Sequence, residues 1–321
     1  MVLSKGENMN IIDYINKNKD KTFDEVPFNE IDNLIYSLLT YVDFTNIVPA
    51  FKSKKITLKD AAEKIKNRKK EHRGIFISDT FKMIQMMKDT KRYQDTLLYN
   101  YMKVVNTDMQ FGAMTMKLPD KSIYISFAGT DSSIIGWEED FKMSYLYPGA
   151  SQKYASIYLN KAVSLFDKKV RVGGHSKGGN LSICAVMNAH FWIRKKVIKI
   201  TNFDGPGFLK KEIDSKAYKK IEPKINMYVP KESIIGMLFY NISDYIVVKS
   251  KGINIFQHDA FNWQCQNTEL IRDTQNKRSK NLQKKLTKKL EELSIEERIN
   301  LVKKLFSIFK NNNIKDTKEI K

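Results

Sequence analysis

Apolar residues recur at helical spacing in the first third of the chain and at strand spacing in the middle. Ile31, Leu34, Ile35, Leu38 and Leu39 fall three and four apart, the period of an amphipathic helix. The pattern breaks over residues 43–50, where Pro49 punctuates the chain. Ile56, Leu58, Ala61, Ala62 and Ile65 then share one face of a densely basic segment, residues 52–73, and Phe81, Ile84 and Met87 form a shorter stripe. Residues 1–95 therefore read as a helical layer packed on something larger, with no chemistry of its own.

From Leu97 the pattern changes. Residues 99–105, 111–117 and 122–128 read as three strands separated by polar turns, one of which contains Pro119-Asp120. Helices are expected over 154–166 and 181–189, and further strands over 169–172, 197–203, 224–229 and 245–249. Strands alternating with helices imply a mostly parallel sheet with crossover helices, so residues 96–268 read as one α/β core. Residues 269–321 change character again. Leu282, Leu286, Leu290 and Leu293 form a stripe among paired lysines, and Leu301, Val302, Leu305, Ile308 and Phe309 form a second. This tail fits two descriptions: a basic amphipathic helix pair that meets a membrane surface or partner, or two helices packed on the body with lysines in water.

Composition narrows the class. The chain has 321 residues, 42% of them hydrophobic, enough to bury a sizeable core. The net charge of +20 favours anionic surfaces such as an anionic membrane, although a Lys-, Asn- and Ile-rich genome produces the same balance. No motif or interleaved basic–aromatic platform for reading nucleic acid is present, so none is expected as a partner. Cys184 and Cys265 form no C-x-x-C pair, which leaves zinc and thioredoxin-like chemistry without support and fits a reducing compartment. Neither a signal-peptide core nor a membrane-length apolar run is seen, so the expected location is the cytoplasm.

The chemistry concentrates in V-R-V-G-G-H-S-K-G-G-N, residues 170–180. Gly174-His175-Ser176-Lys177-Gly178 fits G-x-S-x-G, with a short β-branched strand before it and an apolar helix after it, the setting of a nucleophile elbow. At so tight a turn, side chains at Gly174 and Gly178 would collide with strand and helix. The turn pushes the Ser176 hydroxyl outward at a helix N-terminus, where backbone dipoles favour developing negative charge and the Lys177 amide serves as one oxyanion donor. A phosphate-binding loop would need Lys followed by Ser or Thr, the reverse of the order here.

Serine needs a base. Of four histidines, His72 lies in the basic segment, His175 points away from the nucleophile's hydroxyl and His190 lies at the far end of the next helix. His258, in a loop after the last strand, stands where a chain order of Ser, acid, His places the base. Asp204, in F-D-G-P-G-F at the end of the strand after the elbow helix, is the favoured acid, because ligands bind at that edge of open α/β sheets. Glu232 is the alternative, with Asp244 and Asp259 more distant. The segment F-A-G-T-D, residues 127–131, ends an early strand, and the Thr130 hydroxyl is a candidate second oxyanion donor. Trp137 follows as roof or core.

Taken together these runs resemble the lipase class 3-like branch of the α/β-hydrolases and, more narrowly, the family labelled DUF2974 or Mbeg1-like. The matching runs are Q-F-G-A (110–113), S-F-A-G-T-D (126–131), G-W-E-E-D-F (136–141), G-G-H-S-K-G-G-N (173–180), F-D-G-P-G-F (203–208), V-P-K-E-S-I-I-G-M-L (229–238) and Q-H-D-A-F-N-W (257–263). The resemblance covers about residues 93–263. The resemblance implies an α/β-hydrolase fold with Ser176 as nucleophile, His258 as base and Thr130 at the oxyanion. Two positions depart from it. Ala128 stands where relatives usually carry Arg. Ser233 stands where class 3 lipases carry the acid, so either Glu232 substitutes or Asp204 supplies the carboxylate.

The expected function is hydrolysis of a carboxylic ester, lipid or phospholipid among the candidates, through an acyl-enzyme and without metal or organic cofactor. The alternative is a catalytically inactive hydrolase-fold module that binds anionic membrane through its basic tail.

Overall fold

Alternation along the central strands sends neighbouring side chains to opposite faces of one sheet. Tyr124, Met114, Met116 and Phe203 join a core with the N-terminal helices, whereas Ile123, Ile125, Phe111 and Ile200 join a second core on the other face. These assignments come from a computed structural model, which describes residues 8–51, 54–66, 79–131, 133–242, 244–312 and 314. His72 and the rest of the basic stretch 67–78, and the side chain of Leu282, lie outside the described residues.

The first layer holds α1 (Ile11–Lys17), α2 (Glu30–Leu38), α3 (Leu58–Lys66) and α4 (Thr80–Met87). Asn10 and Asn29 cap the first two helices, each accepting from two amides of the first turn. The layer is not purely helical. Ile56, read from sequence as part of a helical face, forms strand β1 with Thr57 instead, and the two pair antiparallel with Leu98 and Leu97. Both residues are β-branched, and the open sheet edge supplies the backbone partners.

The sheet has eight strands in sequential order. Antiparallel pairing joins β1 to β2 (Leu97–Val105), β2 to β3 (Gln110–Lys117) and β3 to β4 (Ile123–Phe127). From β4 onward, β5 (Val170–His175), β6 (Val197–Phe203), β7 (Ile225–Pro230) and β8 (Ile246–Val248) run parallel. The crossovers carry α5 (Ile134–Lys142) and α6 (Ala150–Ala162), then α7 (Lys177–Met187) and α8 (Phe191–Lys196), then α9 (Lys210–Ile213) and α10 (Lys216–Ile221). This is the α/β-hydrolase arrangement, with the elbow at the end of the central strand β5.

Helix α6 lies four residues earlier than the 154–166 expected from periodicity. The Gly149 amide bonds the Gln152 side chain at 2.8 Å and opens the helix there. Leu165 and Phe166, which extended the apolar pattern, are 74% and 91% exposed. The connection from β7 to β8 has no regular helix. After β8 come a short 3-10 turn, Asn254–His258, a small hairpin of β9 (Cys265–Gln266) and β10 (Glu269–Leu270), and two long helices, α11 (Lys277–Glu292) and α12 (Ile295–Asn311). No described helix is long and apolar enough to cross a membrane.

Candidate active site

Ser176 sits between β5 and α7 with φ 58° and ψ −135°, a left-handed conformation unusual for serine. Its amide donates to the Phe203 carbonyl at 2.9 Å, which ties the turn to β6. The packing around it explains both glycines. A Cβ at Gly174 would strike the Gly178 backbone, and one at Gly178 would strike the Phe127 carbonyl. Lys177 opens α7, so its amide belongs to the first turn, which has no intrahelical acceptor.

Asp204 ends β6, also with positive φ (52°), and its amide donates to Tyr228 at 2.8 Å. The carboxylate is fully buried. Its Oδ2 lies 2.7 Å from His258 Nδ1, and its Oδ1 accepts from the Ser233 hydroxyl and, at 3.2 Å, from the Gly236 amide. Burial pushes the carboxyl above its ordinary range, while His258, Ser233 and Gly236 pull the other way without cancelling it. With the Nδ1 proton directed at Asp204, Nε2 is the basic nitrogen of the neutral imidazole.

Glu232 is occupied differently. It accepts from the Asn254 amide and Gln257 Nε2, both at 3.0 Å, and from Asn276 Nδ2 at 3.2 Å. It thus anchors the turn carrying His258 and the start of α11. Asp259 caps its own turn by accepting from the Phe261 amide at 3.0 Å, and Asp244 is exposed. His190 is exposed beside α8.

Ser176, His258 and Thr130 line one cavity of about 380 Å3. The Thr130 hydroxyl, read from sequence as a candidate oxyanion donor, donates to Asp140 Oδ2 at 2.5 Å in this structure. Burial raises Asp140 to about 6, only partly opposed by Lys177 and Thr130, and its Oδ1 has no hydrogen-bond partner among the described residues. Lys177 is equally committed through its side chain. Its Nζ reaches the Gln110 carbonyl at 2.9 Å and Glu139 Oε2 at 3.0 Å in full burial. Burial would raise Glu139, but Lys177 and Ser151 outweigh it and hold the carboxyl below the usual range.

The family model described as Mbeg1-like matches residues 87–307. The chain belongs to the Mbeg1-like family. The match reaches well past the last motif read in the sequence and takes in α11 and most of α12. No functionally curated protein matches the chain. Among solved structures, M37 lipase is similar over 64% of this chain and 68% of its own, at 16% identity and a TM-score of 0.39. A fungal lipase–inhibitor complex, described as a model for interfacial activation in lipases, is similar over 52% of this chain and 68% of its own, at 16% identity and a TM-score of 0.37.

Three features of the Mbeg1-like site do not follow from local sequence, although the leucine stripes that form the third are visible there. Tyr41, from the N-terminal layer, places its hydroxyl 3.0 Å from His175 Nδ1. His175 Nε2 in turn lies 2.8 Å from the His258 carbonyl, and the two imidazoles are 4.6 Å apart. Burial, reinforced by His258, holds His175 well below the usual histidine range, so it stays neutral, donating from Nε2 and accepting at Nδ1. The second feature is Asp140 beneath Thr130. The third is the cavity wall supplied by the C-terminal helices. Trp137, offered as roof or core, lines the cavity, and its indole nitrogen has no hydrogen-bond partner among the described residues.

Proposed function

We propose that this Mbeg1-like protein is a serine hydrolase of the lipase/esterase type. Ser176 Oγ attacks the acyl carbonyl while His258 takes its proton. Asp204 orients the imidazole and stabilises the imidazolium. The Lys177 amide carries the oxyanion at the start of α7, joined by the backbone amide of Thr130, whose hydroxyl donates to Asp140. His258 returns the proton to the leaving alcohol, which departs and leaves an acyl-serine. Water, activated by His258, then releases the acid. The observation that most supports this reading is the buried 2.7 Å contact between His258 Nδ1 and Asp204 Oδ2, with His258 and Ser176 lining one cavity.

The test is labelling with a fluorophosphonate probe, together with turnover of a panel of carboxylic esters. Wild type is expected to label and Ser176→Ala not to, with turnover lower by about 10^6. Full esterase activity in Ser176→Ala would end the proposal.

A second reading rests on the exposed lysines of α11, Lys284, Lys285, Lys288 and Lys289 among them. In it, the fold serves as a non-catalytic module on anionic membrane. Absence of labelling at Ser176 together with salt-sensitive binding to anionic vesicles would favour it.

A further inference from the structure

The C-terminal helices leave a cavity of about 380 Å3 beside Ser176, which docking of the tail for stability alone does not explain. Its floor holds the polar groups already described. Its walls are apolar, and they come from three separate parts of the chain: Phe141 on α5, Ile235 and Leu238 on the β7–β8 connection, and the C-terminal helices. The helices are held on both banks. On one bank, the Ser279 hydroxyl donates to the Ser233 carbonyl and the Asn276 amide to the Lys231 carbonyl at 3.0 Å. On the other, Val302 and Phe306 bury against Ile134, the Phe306 ring lies 5.4 Å from Phe141, and Arg298 donates to the Ser144 carbonyl at 2.9 Å. Between these anchors the helices span the cavity without filling it.

Helix α11 shows why. Leu286 and Leu290 lie four residues apart on one face and line the cavity, while Lys284, Lys285, Lys288 and Lys289 face water. A helix docked only for stability would press that stripe into contact, because an apolar void forfeits dispersion and holds water poorly. Here about 380 Å3 is left, within the range of small-molecule sites.

We infer that the C-terminal helix pair is the acyl-chain wall of this site, and that Leu286, Leu290 and Leu301 set the length of chain it accepts. The inference rests on the hydrolase reading of Ser176 and adds to it the residues that select the substrate. An aliphatic chain extending from the acyl carbonyl passes from the polar floor to the leucine wall. Each methylene that finds contact there tightens binding by about fourfold. Filling the wall therefore penalises long chains and spares short ones.

The test measures binding rather than turnover. Butyrate, octanoate and palmitate are titrated into the full-length Ser176→Ala protein, into the same protein carrying Leu290→Trp or Leu301→Trp, and into one carrying Leu286→Ala with Leu290→Ala. Palmitate affinity is expected to fall by about tenfold or more with either tryptophan, and butyrate by less than about threefold. The paired alanines are expected to weaken palmitate by a similar factor through lost contacts, which keeps the test decisive if a tryptophan variant fails to fold. Palmitate binding that is absent from the Ser176→Ala protein, or unchanged in the variants, overturns the inference. Because no turnover is read, a wild-type protein that neither labels nor cleaves esters overturns the hydrolase reading alone.

Discussion

His258 Nδ1 and Asp204 Oδ2 meet at 2.7 Å although 54 residues separate them in the chain. The contact forms because β6 ends in a left-handed residue that turns its carboxylate across the sheet edge toward the turn after β8. Glu232 has spent one oxygen on that same turn and the other on Asn276 at the start of α11. Asp204→Asn is therefore expected to lower kcat on a short acyl ester by about 10^4, by leaving the imidazole in the wrong tautomer. Glu232→Gln is expected to cost far less and to act through the position of the turn. A larger loss from Glu232→Gln than from Asp204→Asn would reverse the assignment.

Tyr41 reaches the site through His175. Its hydroxyl satisfies His175 Nδ1, which leaves the opposite N–H to hold the His258 carbonyl. Tyr41→Phe leaves that buried nitrogen without its donor, at a cost of about 1–3 kcal/mol. The variant is expected to melt earlier and to lose kcat several-fold, as the backbone at His258 loosens. A melting curve and a rate equal to wild type would separate Tyr41 from the site.

Lys177 carries two separable features, a first-turn amide of α7, proposed above as an oxyanion donor, and a side chain buried against Glu139. Lys177→Met keeps the amide but strands Glu139, and breaking a buried pair from one side costs about 3–5 kcal/mol. Chemical denaturation is expected to show that loss, and the double variant with Glu139→Gln is expected to recover part of it. Additive losses in the double variant would mean that the pair is not energetically coupled.

Asp140 gives a pH signature. Its carboxyl is raised from 3.8 to about 6, first by burial, with Glu139 adding to the rise and Lys177, Thr130 and His258 opposing it. The folded state thus holds this proton more tightly than the unfolded chain. The associated stability is fully present below 3.8 and is lost as pH rises through about 6. Asp140→Asn carries no such charge, so it is expected to be more stable than wild type above pH 6 by about 2–3 kcal/mol. The two proteins are expected to converge below 3.8. Equal stability at pH 8, measured by denaturant titration, would show that Asp140 is not held as described.

How much of this was legible in the sequence follows from range. The elbow is local: two glycines around Ser176, a β-branched strand before and an apolar helix after, all within residues 170–187. The run of strands was readable for the same reason, since period-two patterns act within a few residues, and the strand over 197–203 matches to the residue. Boundaries set by single hydrogen bonds were not, as at α6, where Gly149 and Gln152 start a helix that periodicity placed later. Contacts across the fold were least legible. Nothing near Tyr41 announces a histidine 134 positions away, and nothing near Thr130 announces that its proton goes to Asp140. The leucine stripe of α11 was visible, but a stripe does not say whether it meets core, cavity or lipid.

The outer face of that helix leads to the last prediction. The chain carries a net charge of +20, and α11 presents Lys280, Lys284, Lys285, Lys288 and Lys289 to water, with its acidic residues confined to Glu291 and Glu292 at the end. Charge of this density is expected to draw the helix pair to an anionic lipid surface at about 1 kcal/mol per lysine, an attraction screened beyond about 8 Å at physiological salt. Such docking would set the cavity mouth against the lipid, since the same helices form its wall. Binding to phosphatidylserine-containing vesicles, read by co-sedimentation, is expected to weaken steeply with salt. It is expected to fall by about a thousandfold or more when Lys284, Lys285, Lys288 and Lys289 are all replaced by Glu. These lysines face away from the cavity, so palmitate affinity in the same variant is expected to hold. Equal, salt-independent binding to phosphatidylcholine vesicles would show instead that apolar surface, such as the exposed Leu301 and Ile308, makes the contact.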